Sequence, residues 1–315
     1  MANLRFIVSL ITKENDYQVE QAAAAQAAAK KLGVDVQILY ADNDAITQST
    51  QLLKAIQAQE AMRPHAIVFE PVGGTAFPQV AHAAVSAKVA WAALNREADY
   101  IPQMRKTAKV PVFCLSSDHK EIGRIQGRQF TALLPNGGGV LYIQGPSETS
   151  AARDRTAGME MTVPKNVQIV SLRARWTEES AQRAVESWLL LNTLNKTRID
   201  VVGAQNDLMA MGARKAFEGV SNIADREKWL KVSFTGIDGL AKTGLTWVRN
   251  GTLAATIMVP TNAGQAISML VEALQTGRDV PERSFTVAES FPPIEKLTPR
   301  GEKPTAKGEK VAPTV

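Results

Sequence analysis

The chain is poor in the residues that build catalytic and metal centres. Its 315 residues include one cysteine, Cys114, and three histidines, His65, His82 and His119. A lone cysteine forms no internal disulfide and does not decide the redox compartment. It sits in the apolar run 110–115, where a small buried core residue is expected. The histidines are scattered without metal-ligand spacing, which leaves structural or surface roles. P-loop, CxxC and HExxH patterns are missing, and no nucleophile–base pair stands out. No cofactor, metal or catalytic residue is therefore expected. The run Gly137, Gly138, Gly139 precedes a strand pattern, whereas a phosphate loop follows one, so a turn is expected there.

Long apolar runs are absent too, which argues against membrane insertion. Met1 to Leu10 lead straight into a strand pattern, without a basic region, a long apolar stretch or a small-residue cleavage site. Two cases stay open. A leader removed from a longer chain implies the periplasm; a native start at Met1 implies the cytoplasm. The net charge of +5 is diluted over the chain. Part of it lies in the C-terminal piece, where Arg300, Lys303, Lys307 and Lys310 oppose only Glu302 and Glu309. No basic face interleaved with aromatics emerges, so a nucleic-acid partner is not expected.

What is present is alternation. Short β-branched runs at 4–11, 34–40, 65–69, 89–94, 110–116, 139–144, 167–172, 199–204, 232–237 and 253–258 read as strands. Ala-rich amphipathic stretches at 19–32, 48–61, 122–134, 178–194, 207–218 and 264–276 read as helices between them. The pattern predicts an α/β protein with doubly wound parallel sheets. Ten strands exceed one comfortable sheet, and the length suits about two domains. The expected division is residues 1–117 plus 261–284 in a first lobe and 118–260 plus 285–297 in a second. Residues 298–315, rich in Lys, Pro, Thr and Gly, read as a mobile tail.

Ligands of open parallel sheets sit beyond the carboxyl ends of the strands. Polar and aromatic residues recur there. Asn15, Asp16, Tyr17 and Gln18 follow the first strand, Asn95 and Arg96 the fourth, and Arg155 the sixth. Trp176 follows the seventh, Asn206 and Asp207 the eighth, and Asp238 the ninth. Glu70 and Gly73-Gly74 end the third; a cleft role and a capping or solvated role for Glu70 stand about equal. Each residue has a plain alternative: Asn206 or Asp207 as a helix cap, Arg153 and Arg155 as solvated, Trp176 as core. Their joint recurrence favours a polyol ligand. Sugar hydroxyls donate and accept, charged partners strengthen those bonds, and sugar C–H faces pack on aromatic rings.

The chain resembles the type I periplasmic sugar-binding proteins of ABC transporters, the ribose-binding-protein group. The stretches that carry the likeness are 149–155 (TSAARDR), 204–210 (AQNDLMA), 236–239 (GIDG) and 251–257 (GTLAATI). The resemblance implies two flavodoxin-like lobes joined by a three-stranded hinge that closes over a monosaccharide. It implies a monomer that serves a permease. It places the ligand residues at Asn15, Tyr17, Asn95, Arg96, Arg155, Trp176, Asn206 and Asp238, with the two aromatics stacking on the sugar. The chain departs from the ribose binders at Gln18, where they have a second aromatic, and at Asn95, where they have Asp. Their glutamine at the second hinge crossing falls near Asn262, and residues 99–109 are an insertion. The lost acid at 95 leaves Glu70 or Asp16 as substitutes. Another pyranose, an inositol or a different polar metabolite fits better than ribose. A sugar-sensing module of the same fold is the alternative; no helix-turn-helix precedes Leu4.

Overall fold

The computed structural model describes residues 4–73, 76–96, 98–195 and 197–299; the side chains of 192–195 are also left aside. The first lobe is built on a six-stranded sheet of order β11-β5-β4-β3-β1-β2. Its strands are β1 (Arg5–Leu10), β2 (Asp35–Tyr40), β3 (Ala66–Phe69), β4 (Ala90–Leu94), β5 (Val112–Ser117) and β11 (Arg283–Thr286). The second lobe has a four-stranded sheet, β7-β6-β8-β9. Its strands are β6 (Gly138–Gln144), β7 (Val167–Arg173), β8 (Val201–Ala204) and β9 (Ser233–Thr235). Every pairing in both sheets is parallel. A short antiparallel pair, β10 (Thr256–Met258) with β12 (Glu289–Phe291), lies at the join.

Parallel strands need crossovers, and helices supply them. The first lobe carries α1 (Asp16–Leu32), α2 (Ala45–Ile56), α3 (Pro78–Ser86) and α4 (Ile101–Arg105). The second carries α5 (His119–Leu133), α6 (Ser150–Glu160), α7 (Glu178–Asn195), α8 (Asp207–Glu218), α9 (Ile223–Leu230) and α10 (Gly244–Arg249). The chain then returns: α11 (Ala263–Thr276) packs Ala266, Ile267 and Leu270 into the core of the first lobe, against Phe6, Val8 and Ala25. Both faces of the sheet are covered at its centre, so β3, β4 and β5 are buried along their whole length, whereas the edge strands β2 and β11 are partly exposed. A cluster of Ile122, Ile125, Ile237, Ile257 and Val259 fills the join, with the Tyr17 ring among them.

The chain passes between the lobes three times: after β5, between β10 and α11, and between β11 and β12. The last crossing lies later than expected. Residues 285 and 286 belong to the first sheet, because Ser284, Phe285 and Thr286 pair with Leu115, Ser116 and Ser117 of β5. The 99–109 insertion folds into α4, with Ile101 and Met104 buried. Of the expected tail, residues 300–315 lie outside the described residues. Among the described residues no helix is long and apolar enough to cross a membrane.

Candidate ligand-binding site

Each sheet reverses its strand order once, between β1 and β3 in the first lobe and between β6 and β8 in the second. At such a point neighbouring crossovers diverge and leave a crevice. The two crevices face each other across one cleft of about 640 Å³, open solvent at its mouth included. All eight residues read from the strand ends line it: Asn15, Tyr17, Asn95, Arg96, Arg155, Trp176, Asn206 and Asp238. Gln18 and Glu70 line it as well. Asp16, in the first turn of α1, and Asn262, fully buried, do not. Gly73 adopts φ +73°, and Gly74 lies outside the described residues.

Local chemistry places these side chains. The Asn15 side chain accepts from the Tyr17 and Gln18 amides, so α1 starts at Asp16 rather than at the first apolar-periodic residue. Gln18 Oε1 accepts from the Ile11 amide at 2.9 Å, which holds this side chain on the β1–α1 turn. Thr149 caps α6 and thereby puts Arg155 on a helix. Asn206 caps α8 through the Met209 amide at 2.7 Å, and its Nδ2 donates to the Trp176 carbonyl at 2.9 Å. Asn15 Nδ2 approaches that same carbonyl from the other lobe, at 3.5 Å. Trp176 lies flat against Gly145, where an added Cβ would fall 2.2 Å from the ring. Asn43, Asn95, Trp176 and Asp238 all line the cleft with positive φ, among seven such non-glycine residues described. Backbone strain concentrated in this way marks functional sites.

Each wall brings one cation and one carboxylate to the cleft, and among the described residues those of the first wall are in ion-pair contact. On the first, Arg96 Nη1 lies 3.6 Å from Glu70 Oε1, both side chains under a tenth exposed. On the second, the Arg155 guanidinium sits 5.5 Å over the Trp176 ring, and its charge acts on Asp238. Arg155 also donates to the Gln205 carbonyl. Burial raises the Asp238 carboxyl well above the usual range; Arg155 opposes that, while Asp207, Glu70 and Asp16 add to it. Asp207 itself is pushed up to about 7, chiefly by burial. It is no ligand residue in this arrangement. Its carboxylate accepts from the Gly239 amide at 2.8 Å and the Thr256 hydroxyl at 2.7 Å, which fixes the turn that carries Asp238.

Tyr17 differs from a simple stacking platform. Its ring packs in the apolar cluster at the join, and its hydroxyl donates to the Pro260 carbonyl at 3.1 Å. It therefore ties α1 to the second crossing while one side faces the cleft. Cleft residues that the strand-end reading left out are Ile11, Thr12, Asn43, His119, Ala151, Arg175, Thr177 and Val259. His119 opens α5 just past the first crossing. Burial first, then Arg155 and Arg96, lower its pKa well below the ordinary range. Its Nε2 lies 3.3 Å from the Asn95 carbonyl, an acceptor, so that nitrogen carries the proton. Among the described residues, four cleft-lining side chains hold buried polar atoms without a partner: Arg96 Nε, Arg155 Nε, Trp176 Nε1 and His119 Nδ1. Cys114 is buried in β5, its Sγ 3.3 Å from the Arg96 carbonyl. Among the described residues no group of three or more His, Cys, Asp or Glu is placed to hold a metal.

Comparison with known proteins agrees with this geometry. Residues 6–279 match the model of the periplasmic binding protein domain. The chain is 26% identical to the D-apiose import binding protein of Paraburkholderia graminis over 280 residues, 86% of this chain and 82% of the relative. It is 27% identical to the ribose import binding protein of Salmonella typhimurium over 260 residues, 82% and 79% of the two chains. Among solved structures, the arabinose ABC transporter binding component of Shewanella sp. ANA-3, bound to arabinofuranose, superposes with TM-score 0.78 at 22% identity, covering 93% of each chain. The two parallel-sheet lobes, the switch-point cleft and the match over most of the length lead to one conclusion: the chain belongs to the periplasmic binding protein family, as a type I member of the ribose-binding group and a binding protein rather than an enzyme.

Proposed function

We propose that the protein captures a monosaccharide or related polyol in the cleft and delivers it, in the periplasm, to an ABC transporter permease. The observation that carries this reading is the duplicated wall. Each lobe brings a buried arginine and a carboxylate to one cavity: Arg96 and Glu70, 3.6 Å apart, from the first, and Arg155 and Asp238 from the second. A hydroxyl both donates and accepts, so it satisfies such a pair where an acceptor-only or purely apolar group does not. The Trp176 face and the Tyr17 edge serve the C–H surface of the ring. Ligand contacts on both lobes favour the closed arrangement over an open one, and the three crossings act as the hinge. The relatives named above bind apiose, ribose and arabinofuranose, all sugars, which supports the class. Gln18 stands where a second stacking ring is found in ribose binders and is engaged with the Ile11 amide. The ligand is accordingly a sugar or cyclitol other than ribose.

A thermal-shift screen tests this. D-ribose, L-arabinose, D-galactose, D-apiose and myo-inositol are each added in excess. A ligand at 100 times its Kd stabilises the folded form by about 2.7 kcal/mol, a rise of several degrees in Tm. D-ribose is expected to shift Tm less than the best of the others. No shift with any of the five would overturn the sugar reading.

A further inference from the structure

We propose that Glu70, not Asn95, is the ligand-contacting acceptor of the first lobe, and that Asn95 is the positioning residue that holds Glu70 and joins it to the hinge. This rests on the polyol reading above. The hydrogen bonds of Asn95 carry the argument. Its Oδ1 accepts from Asn262 Nδ2 at 2.7 Å and from the Ser117 amide at 3.3 Å. An amide oxygen has two lone pairs, so this one is full. Its Nδ2 donates to Glu70 Oε2 at 3.2 Å. Its backbone carbonyl accepts from Arg96 Nη1 at 2.7 Å and faces His119 Nε2. The Asn95 oxygen thus has nothing left for a ligand hydroxyl.

Glu70 is in the opposite condition. It lines the cleft, and among the described residues its Oε1 accepts no hydrogen bond; the nearest cation is Arg96, 3.6 Å away. The two residues sit at neighbouring strand ends, because β3 and β4 pair in parallel. The acid therefore projects from β3 and the amide behind it from β4. From Asn95 the chain of bonds continues to the crossings. Asn262, at the second crossing, also accepts from Gln21 Nε2 at 2.7 Å. Ser117, at the first, bonds through its hydroxyl to Thr286 at the third, 3.1 Å away. An ionised carboxylate only accepts, so the group placed on Glu70 must donate. A ligand hydroxyl fits there; a ligand carboxylate or keto group does not.

An acid–amide exchange separates the two roles. Glu70→Gln keeps the bond to Asn95, since Gln still accepts from Nδ2. Asn95→Asp sets a second carboxylate against Glu70. The double variant E70Q/N95D restores one acid and one amide in exchanged places. The ligand-free Tm is measured for all, with Kd by calorimetry for the five probes named above. Asn95→Asp is expected to lower the ligand-free Tm by roughly 5 °C or more, and the double variant to recover at least half of that loss. Glu70→Gln is expected to fold and to bind at least about thirtyfold more weakly, with no recovery of affinity in the double variant. Near-wild-type affinity in Glu70→Gln overturns the contact role of Glu70. Recovered affinity in the double variant puts the acceptor at position 95 and does the same. An unchanged Tm in Asn95→Asp overturns the positioning role. If the wild type binds none of the probes, the polyol reading fails, and the Tm comparison still decides the acid–amide pair.

Discussion

In the first lobe the polar side chains of the cleft bond to one another and onward to the crossings: Glu70 to Asn95, Asn95 to Asn262 and Ser117, Asn262 to Gln21. In the second lobe they bond within their own body. Arg155 rests on the Gln205 carbonyl and Trp176, Asn206 on the Trp176 carbonyl, and Asp207 pins the turn that carries Asp238. Gln205 continues inward to Tyr142 and the Ala152 carbonyl, away from the crossings. Each wall carries one arginine and one carboxylate, in ion-pair contact on the first wall, and their fastenings differ. A disturbance on the first wall reaches the three crossings. The second wall is tied outward by fewer bonds, chiefly from the Val259 amide to the Asp238 carbonyl and from Asn15 to the Trp176 carbonyl.

The largest expected effect is on the second wall. Arg155→Ala removes the cation beside Asp238 and the donor over Trp176. Truncating one member of a buried charged pair costs roughly 2–5 kcal/mol of binding, because the partner stays buried and unpaired. Measurable binding should vanish in calorimetry while the far-UV spectrum stays that of the wild type. Wild-type affinity would remove Arg155 from the site. On the first wall the matching test is Asn262→Ala. It leaves Gln21 Nε2 and one lone pair of Asn95 Oδ1 without partners in a fully buried place, while Gln21 Oε1 keeps the amides of residues 262 and 263. A loss of about 2–3 kcal/mol of stability is expected in denaturant unfolding, before any ligand is added. If Asn262→Ala weakens binding and leaves stability intact, the contrast between the walls is broken.

The contrast itself was not legible in the sequence, although the frame was. Strand existence and order followed from short apolar runs between helical ones, and the switch-point rule pointed at the strand ends. The start of α1 moved because the Asn15 side chain caps it, and α6, capped by Thr149, is a helix that apolar periodicity does not register. Glu70 had two equal readings because its burial depends on Arg96 and Asn95, which come from the next strand. Asn206 and Asp207, adjacent in the chain, have different neighbours. Asn206 lines the cleft while also capping α8; Asp207 turns inward to Thr256, 49 residues on. His119 gave no signal, since nothing in its spacing shows that the first crossing leads it past Asn95. The positive φ of Trp176 and Asp238 is likewise a product of the closed fold.

A smaller effect concerns pH and sharpens the second wall. Asp207 and Asp238 both have raised pKa values in the folded chain. A group raised on folding contributes stability that is full below its unfolded pKa and is lost as pH rises through the folded value. For Asp207 that window runs from about 4 to about 7. Asp207→Asn does not titrate, and Asn still accepts from Gly239 while donating to the Thr256 hydroxyl. Relative to the wild type, its ligand-free Tm should therefore rise by a few degrees between pH 4 and pH 8. A difference independent of pH would show that Asp207 is ionised throughout.

The smallest effect tests a side-chain contact that spans the cleft. Asn15 has two tasks: it caps α1, and its Nδ2 reaches the Trp176 carbonyl of the other lobe at 3.5 Å. Loss of an N-cap costs about 1 kcal/mol, whereas a bond of that length contributes little. Asn15→Asp separates the tasks, because a carboxylate caps as well as an amide but cannot donate to a carbonyl. It also brings negative charge close to Asp16 and to the Trp176 carbonyl. Asn15→Ala should lower ligand-free stability by about 1 kcal/mol, and Asn15→Asp should leave it within about 0.5 kcal/mol of the wild type. Both should weaken binding by less than Arg155→Ala does. If Asn15→Asp instead abolishes binding with stability intact, the first lobe reaches the ligand through α1 as strongly as through β3, and the hinge-linked wall is wider than the Glu70–Asn95 pair.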